Sequence, residues 1–135
     1  MDKFSLKQRS YNMSMVKGKN TKPELIVRKF LWNEGYRYRL HYKNLPGKPD
    51  IVFPGRRKVI FIHGCFWHRH DCKFFSWPRS NEDFWKKKIL ANVERDRKNK
   101  KILVKDGWVV MTIWECETRP NQVEKLWPKI ESFVD

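Results

Sequence analysis

The chain has little acidic charge and no long apolar run. Fifteen acidic residues stand against 30 basic ones among 135 residues, which leaves a formal net charge of +15 at pH 7. A basic excess of this size favours a polyanionic partner such as DNA, RNA or an anionic membrane. No stretch approaches the roughly 18–20 apolar residues of a membrane span, and the N-terminus lacks the apolar segment of a secretory signal. We therefore expect a cytoplasmic protein without a membrane anchor.

Cysteine is scarce, and the three cysteines are an odd number. In an apparently intracellular chain this argues against a disulfide framework and favours metal ligation or buried thiols. Cys65, His70, Cys72 and Cys116 form a plausible four-ligand set, because three lie in one short polar loop and the fourth follows a predicted strand. Thiolates and imidazole suit a structural zinc ion, which would stabilise a loop with little apolar core. The alternative is that Cys65 and Cys116 are small buried hydrophobic residues.

The chain divides into an arm and one domain. Residues 1–20 are basic, polar and weakly periodic, which predicts a flexible arm. Residues 21–135 have the length of a single domain. Asn20 or Thr21 can cap a first helix that ends at Gly35. Its predicted apolar stripe consists of Leu25, Ile26, Phe30 and Leu31.

Strand and helix patterns alternate through the rest of the chain. Strand-like segments lie at 36–42, 50–53, 58–62 and 108–114, and Pro54-Gly55 predicts a hairpin between the second and the third. Segment 58–62 is apolar almost throughout, which is typical of a central strand covered on both faces, and 108–114 is also of the buried type. Helices are predicted at 81–105, capped by Asn81 and with room for a break near 98–100, and at 123–133, kinked or begun near Pro128. This order predicts an α/β fold with a mixed central sheet flanked by helices.

Asp50 follows Pro49 at the start of a predicted strand, and the next strand ends at Ile62 and His63. The hairpin can therefore bring a carboxylate near an imidazole and a backbone carbonyl, a set that could hold Mg²⁺ for phosphodiester cleavage. This order resembles the PD-(D/E)xK nuclease core, although its usual second acidic residue and lysine are missing. Because Pro-Asp is common at turns, a solvated turn carboxylate is the alternative.

His63 and His68 flank Cys65 and could transfer protons. Imidazole changes charge near neutral pH, so either ring could protonate a leaving oxygen or orient a water molecule. The alternative for each histidine is that it serves as a zinc ligand in place of another residue, or that it is a hydrogen-bonded surface side chain. Glu24 could act with them, although a helix N-terminal charge is the simpler role for it.

Paired aromatic residues lie beside basic ones at Phe66-Trp67 and at Phe84-Trp85. Either pair could wedge between base steps, which costs least at a mismatched pair. Met13, in the arm, could enter from the other groove. Trp85 occupies a helical core position, so packing is an equally good interpretation of that residue.

Four segments resemble the very-short-patch repair endonucleases, the Vsr family: LPGKPDIVF, VIFIHGCFWHRHDC, FWKKKILANVERD and GWVVMTIWEC. They keep their order and approximate spacing. The resemblance implies a PD-(D/E)xK-like fold with a structural zinc site. It also implies a magnesium-dependent phosphodiester hydrolase that nicks 5′ of the thymine in T:G mismatches, which arise when 5-methylcytosine is deaminated.

The resemblance also implies roles for individual residues. Asp50 matches the magnesium-binding aspartate, and Ile62 falls where the family often has a threonine that binds the metal through its carbonyl. His63 and His68 match the catalytic histidines, His68 being the better candidate for acid–base work, and Glu24 matches a supporting glutamate. The zinc ligands would be Cys65, His70, Cys72 and Cys116, and the DNA contacts Met13, Phe66, Trp67, Trp85, Asn92 and Arg95.

The expected partner is double-stranded DNA with a T:G mismatch, bound by a monomer. Two other functions remain open at the level of sequence. One is a nickase with the same core and a different DNA target. The other is a zinc-stabilised DNA-binding module without catalysis.

Overall fold

Three α-helices and four strands lie in the part of the chain described by a computed structural model, residues 20–73 and 75–135. In chain order they are α1 (Lys22–Asn33), β1 (Arg39–Leu40), β2 (Ile51–Phe53), β3 (Lys58–His63), α2 (Glu82–Lys105), β4 (Val109–Trp114) and α3 (Val123–Val134). The predicted arm lies outside these residues except for Asn20. Within the described ranges the order of elements is the predicted one.

The strands form one mixed sheet in the order β1-β2-β3-β4. The first two pairings are antiparallel and the β3–β4 pairing is parallel. The central position predicted for segment 58–62 is confirmed, since Val59 and Ile60 are fully buried between neighbours on both sides. The predicted length of the first strand, residues 36–42, is wrong. Only Arg39 and Leu40 pair, because His41 adopts a left-handed backbone with φ 47°, which ends the ladder.

Thr21, one of the two predicted caps, precedes helix α1, and its hydroxyl accepts a hydrogen bond from the Glu24 N–H at 3.4 Å. The predicted apolar stripe is partly wrong, because Leu25 is 47% exposed and Val27 is buried instead. The buried face consists of Glu24, Val27 and Leu31, which follow a helical spacing of three and four residues. A carboxylate therefore lies on the inner face of the helix.

Helix α2 is continuous through residues 98–100, so the break allowed there is absent. No glycine or proline lies between residues 82 and 105, and nothing in the sequence interrupts the helical hydrogen bonds. Asn81 precedes the helix as predicted but adopts a left-handed conformation and makes no capping hydrogen bond. Ile89 and Leu103 are buried, whereas Leu90 and Ile102, predicted in the same stripe, are exposed.

Apolar residues fill both sides of the sheet. One cluster joins α1 and α3 to the sheet through Val27, Leu31, Ile51, Phe53, Ile60, Ile113, Leu126, Ile130 and Val134. The other joins Leu103 of α2 to Val52, Val59 and Phe61. The predicted α/β arrangement of helices flanking a mixed sheet is thus confirmed.

The last two elements differ from their predictions in detail. Strand β4 is not of the buried type: it lies at the end of the sheet, Val109 is 51% exposed and only Ile113 is fully buried. Helix α3 begins at Val123 and contains Pro128, so it does not start at the proline. Across the described ranges, no helix is both long and apolar enough to cross a membrane.

Candidate active site

Asp50 lies half-buried immediately before β2, and Pro49 beside it is buried. Its Oδ2 accepts a hydrogen bond from the Ile62 N–H at 2.7 Å. The β2–β3 ladder ends at the Ile51–Ile60 pair, and Pro49, two residues before Ile51, has no N–H to donate. Since the N–H and C=O of a strand residue point to the same side, the Ile62 carbonyl is expected on the Asp50 side of β3.

The ionisation of Asp50 is strongly affected by this position. Burial raises the pKa of Asp50 to about 6, the Ile62 hydrogen bond opposes the rise, and the nearby Glu24 charge adds to it. The positive charges of His41 and His68 act in the opposite direction. Asp50 is therefore not the solvated turn carboxylate of the alternative interpretation. It is a desolvated carboxylate that a nearby cation would stabilise in its charged form.

Glu24 is almost completely buried, with 1% of its surface exposed, and is fully hydrogen-bonded. The Nε2 atom of His41 lies 3.0 Å from its Oε1 and 2.9 Å from its Oε2. Arg28 donates to Oε2 at 3.2 Å and the Asn20 N–H donates to Oε1 at 3.2 Å. Glu24 also occupies the helix N-terminal position that the alternative interpretation assigned to it, so the two interpretations are compatible.

His41 was missed by the reasoning from sequence. Its backbone N–H donates to the Asp50 carbonyl at 3.1 Å, and one ligand atom each of Glu24, His41 and Asp50 lie within 4.8 Å of one another. The only available signal was that His41 is the single histidine outside the 63–70 segment. Nothing in the sequence indicates that a turn residue after β1 would reach the inner face of α1.

His63 and His68 form the second group at the site. Their rings stack with centroids 3.8 Å apart and planes at 5°. Burial, with a smaller effect from the charge of His68, lowers the pKa of His63 to about 4, so His63 is neutral near pH 7. The Nδ1 atom of His68 is hydrogen-bonded to Asp96 Oδ2. A carboxylate on Nδ1 favours the tautomer whose Nε2 is available for proton transfer.

Asp96 was also missed, although it belongs to the segment FWKKKILANVERD. It projects from α2 toward the loop after β3, a contact between residues 28 positions apart. A cavity of about 440 Å³ opens beside the histidines. Its lining includes Asp96, Arg97 and Lys100 of α2 and Thr112 and Trp114 of β4.

Cys65, His70, Cys72 and Cys116 are brought together as predicted. One ligand atom from each lies within 4.8 Å of all the others, and the His70 Nδ1 lies 3.6 Å from the Cys65 Sγ and 3.5 Å from the Cys116 Sγ. A tetrahedron with zinc–sulfur and zinc–nitrogen bonds of about 2.3 and 2.0 Å has a sulfur–nitrogen separation of about 3.5 Å. The donor set and spacing therefore fit zinc. All three cysteines are free of disulfides.

The cluster joins distant parts of the chain. Cys116 follows β4, whereas the other three residues lie in the loop after β3. The His70 ring stacks on Trp114 at 4.1 Å between centroids. Burial raises the pKa of Cys65 to about 12 and also raises that of Cys116. A bound cation would be needed to hold these groups as thiolates.

The predicted aromatic residues also meet. Phe66 contacts Trp67 and Trp85, with ring centroids 5.3 and 5.6 Å apart, and Trp67 lies 5.9 Å from Trp85. The Asn92 amide donates to the Trp67 carbonyl at 3.2 Å, and Arg95 donates to Asn92 at 3.3 Å. These residues are half-buried or exposed. Met13 lies outside the described residues.

Comparison with known proteins identifies relatives over most of the chain. Residues 1–74 match the family model described as DNA mismatch endonuclease Vsr. The chain is 51% identical over 116 residues to the "Type II nicking enzyme V.XorIIP" of Xanthomonas oryzae pv. oryzae, which covers 86% of this chain and 85% of that protein. It is 49% identical over 122 residues to the "Type II nicking enzyme V.NmeAIP" of Neisseria meningitidis serogroup A, with 90% and 87% covered. Identity to the "DNA mismatch endonuclease Vsr" of Escherichia coli is 39% over 129 residues, with 93% and 83% covered.

Proposed function

Because this chain belongs to the Vsr family of DNA mismatch endonucleases, we propose that it nicks one strand of duplex DNA on the 5′ side of the thymine of a T:G mismatch. The fold would be a variant of the PD-(D/E)xK nuclease core. The observation that carries the chemistry is the desolvated Asp50, held by the Ile62 N–H next to a stacked histidine pair. Such mismatches arise when 5-methylcytosine is deaminated, which places the activity in DNA repair.

Asp50 and the Ile62 carbonyl would hold Mg²⁺. The fit rests on two features of the chain: Asp50 is desolvated enough to favour a bound cation, and its hydrogen bond from the Ile62 N–H puts the Ile62 carbonyl on the same side of β3. Oxygen ligands of this kind are those that Mg²⁺ prefers. When bound, Mg²⁺ would stabilise charge on the scissile phosphate and lower the pKa of the attacking water.

His68 would transfer the proton. Its Nδ1 is engaged with Asp96, so Nε2 is the atom that gives or takes the proton. His63 is neutral near pH 7, so its stacked ring would hold the His68 plane in place without placing a positive charge beside it. Glu24 acts less directly, since it is buried beside Asp50 and its charge helps to keep a cation there.

Zinc would be held by Cys65, His70, Cys72 and Cys116 and would be structural. All four positions are occupied by protein side chains, which leaves no open position for a substrate. The site ties the end of β4 to the loop that carries His68. Its role would be to position His68 and the neighbouring aromatic residues.

DNA recognition would combine charge and intercalation. The formal charge of +15 favours phosphate contacts, and Phe66, Trp67 and Trp85 form an aromatic cluster beside Lys88, whose Nζ lies 5.4 Å from the Trp67 ring. Asn92 would support the cluster through its hydrogen bond to the Trp67 carbonyl, and Arg95 through its hydrogen bond to Asn92. Met13 in the arm would act from the opposite groove. A mismatched pair unstacks at low cost, so a wedge discriminates in favour of it. We propose that a monomer suffices.

The second candidate function is nicking of duplex DNA at a different recognition sequence. It is favoured by the two relatives with 51% and 49% identity, both of which are named type II nicking enzymes. Chemistry and active-site residues would be the same under both candidates. Only the bases next to the nick would differ.

Nicking of labelled duplexes tests the proposal. With Mg²⁺, we expect the strand containing the mismatched thymine to be nicked at least about 100-fold faster than the same strand in a T:A duplex. Labels on both strands show which strand is cut, and a denaturing gel places the nick. Equal cutting of both duplexes would support a nuclease with another target. Binding without cutting would support a DNA-binding module that lacks catalysis.

Replacing Trp67 by alanine tests the wedge. We expect the preference for T:G over T:A duplex binding to fall by about 5- to 150-fold, because stacking on an aromatic side chain contributes about 1–3 kcal/mol per base. Affinities for both duplexes are measured by fluorescence anisotropy. Trp32→Ala is the matched control, since Trp32 is 55% exposed near the end of α1. A preference that survives Trp67→Ala unchanged contradicts the wedge.

A further inference from the structure

His41 lies close to two carboxylates of the active site, the buried Glu24 and the half-buried Asp50. It has no role in the mechanism above. Its Nε2 is 3.0 and 2.9 Å from the Glu24 oxygens, and the three residues place one ligand atom each within 4.8 Å of the others. The set consists of two oxygen donors and one nitrogen donor. It differs in kind from an all-oxygen magnesium site.

The spacing of these atoms suits a shared metal ion. Neighbouring ligands in an octahedral site with bonds of about 2.0–2.1 Å are separated by about 2.9 Å. The two His41–Glu24 separations already have this value. A metal ion bound by both residues would therefore replace the hydrogen bond with little movement of either side chain.

Each member of the set is held in place by contacts outside it. Glu24 is fixed by Arg28 and by the Asn20 N–H. His41 has a left-handed backbone at φ 47° and an N–H bonded to the Asp50 carbonyl, so the turn after β1 points its ring toward the carboxylates. Asp50 is held by the Ile62 N–H. Such preorganisation lowers the cost of assembling a metal site.

We propose that His41 and Glu24 join Asp50 as ligands when a first-row transition ion such as Mn²⁺ or Co²⁺ occupies this metal centre, and that the His41 nitrogen gives the centre a preference for such ions over Mg²⁺. The inference rests on the proposed function, because it concerns the metal that the nicking reaction uses. Mg²⁺ binds oxygen and gains little from an imidazole, so with Mg²⁺ the His41 ring stays on Glu24. Ions later in the first-row series gain one more bond from the imidazole nitrogen.

Isothermal titration calorimetry of zinc-loaded protein with Co²⁺ and with Mg²⁺ tests this proposal, because it measures the affinity for each ion. We expect His41→Gln to weaken Co²⁺ binding by at least about 10-fold and to change Mg²⁺ binding by less than about 3-fold. Glutamine keeps an N–H that can donate to Glu24 but removes the imidazole nitrogen. His41→Asn is the second variant, because asparagine tolerates a left-handed backbone better than most residues.

Arg28→Gln is the matched control. It removes a different Glu24 contact and no candidate ligand, so it should change Co²⁺ and Mg²⁺ affinities by similar factors. Zinc loading fills the cysteine cluster. Co²⁺ bound in the cysteine cluster would produce an intense thiolate-to-cobalt absorption band. Samples that show this band are reloaded with zinc before the titration.

Proton NMR of the Co²⁺ form provides a direct signature. A strongly shifted, exchangeable imidazole N–H signal is expected from wild-type protein and should be missing from both His41 variants. Equal loss of Co²⁺ and Mg²⁺ affinity in the His41 variants, or no shifted imidazole signal in wild type, overturns the proposal. The nicking assay with Mg²⁺ is independent. Wild-type protein that shows the expected metal preference yet leaves T:G duplexes intact refutes the proposed function alone.

Discussion

Asp50→Asn is expected to slow nicking of a T:G duplex by at least about 1000-fold, because the metal site loses its charged protein ligand and with it several kcal/mol of transition-state stabilisation. Asparagine has the same shape and its carbonyl oxygen can still accept the Ile62 N–H, so the fold is retained. The rate is measured under single-turnover conditions with saturating enzyme, which separates chemistry from DNA binding.

The same substitution should stabilise zinc-loaded protein to which no Mg²⁺ has been added. Burial raises the pKa of Asp50 in the folded state to about 6 from an ordinary value of 3.8, so the fold prefers the uncharged form. Stability from this group is complete below about pH 4 and is lost as pH rises through about 6. Asparagine has no proton to lose and stays uncharged, so above pH 6 the free energy of unfolding of the variant should exceed that of wild type by about 1–3 kcal/mol.

Thermal melts of zinc-loaded protein without added Mg²⁺, at several pH values, measure this difference. The advantage of Asp50→Asn should be present near neutral pH and vanish toward pH 4. Asp106→Asn is the matched control, since Asp106 is exposed at the end of α2 and the change in charge is the same. If Asp50→Asn nicks the mismatched duplex at the wild-type rate, or wild type does so in excess chelator, the metal mechanism is wrong.

Cys116→Ser is expected to remove bound zinc and to lower the melting temperature by more than about 10 °C, because the binding free energy of a structural zinc ion contributes directly to folding. Cys116 is the ligand that connects β4 to the loop after β3. Without it the loop keeps three ligands and loses its tie to the sheet. Nicking should fall with stability, since the loop carries His68.

Atomic emission on purified protein measures the zinc content, for which one ion per chain is expected in wild type. Circular dichroism melts measure the stability. Two histidine variants are the controls. His70→Gln should lose zinc as Cys116→Ser does, whereas His41→Gln should keep it. A wild-type protein that is free of zinc and melts at the same temperature as Cys116→Ser would show that the cysteines are simply buried thiols.

Several features of the site were predictable because they depend on neighbours in sequence. Pro49, Asp50 and the following strand form one local pattern, and Ile62 and His63 end the next strand of the same hairpin. Three of the four clustered zinc-type ligands lie within eight residues. Side chains so close along the chain have few ways to be far apart in space.

Other features were not predictable, for an equally physical reason. The contacts of Glu24 with His41 and of His68 with Asp96 span 17 and 28 residues. The first depends on a left-handed residue that ends β1 early, and the second on how α2 packs across β3 and β4. The periodicity of a helix indicates which face is apolar, but not which loop that face will meet.

By itself, the sequence determined the kinds of elements, their order, the mixed sheet with a central β3, and the residues that resemble the Vsr family, because these depend on local spacing and composition. Only the tertiary structure decided that Glu24, His41 and Asp50 form one group and that Asp96 orients His68. It also decided that β4 is partly exposed. Each of these depends on the packing of elements that are distant along the chain, and packing is fixed by the whole core together.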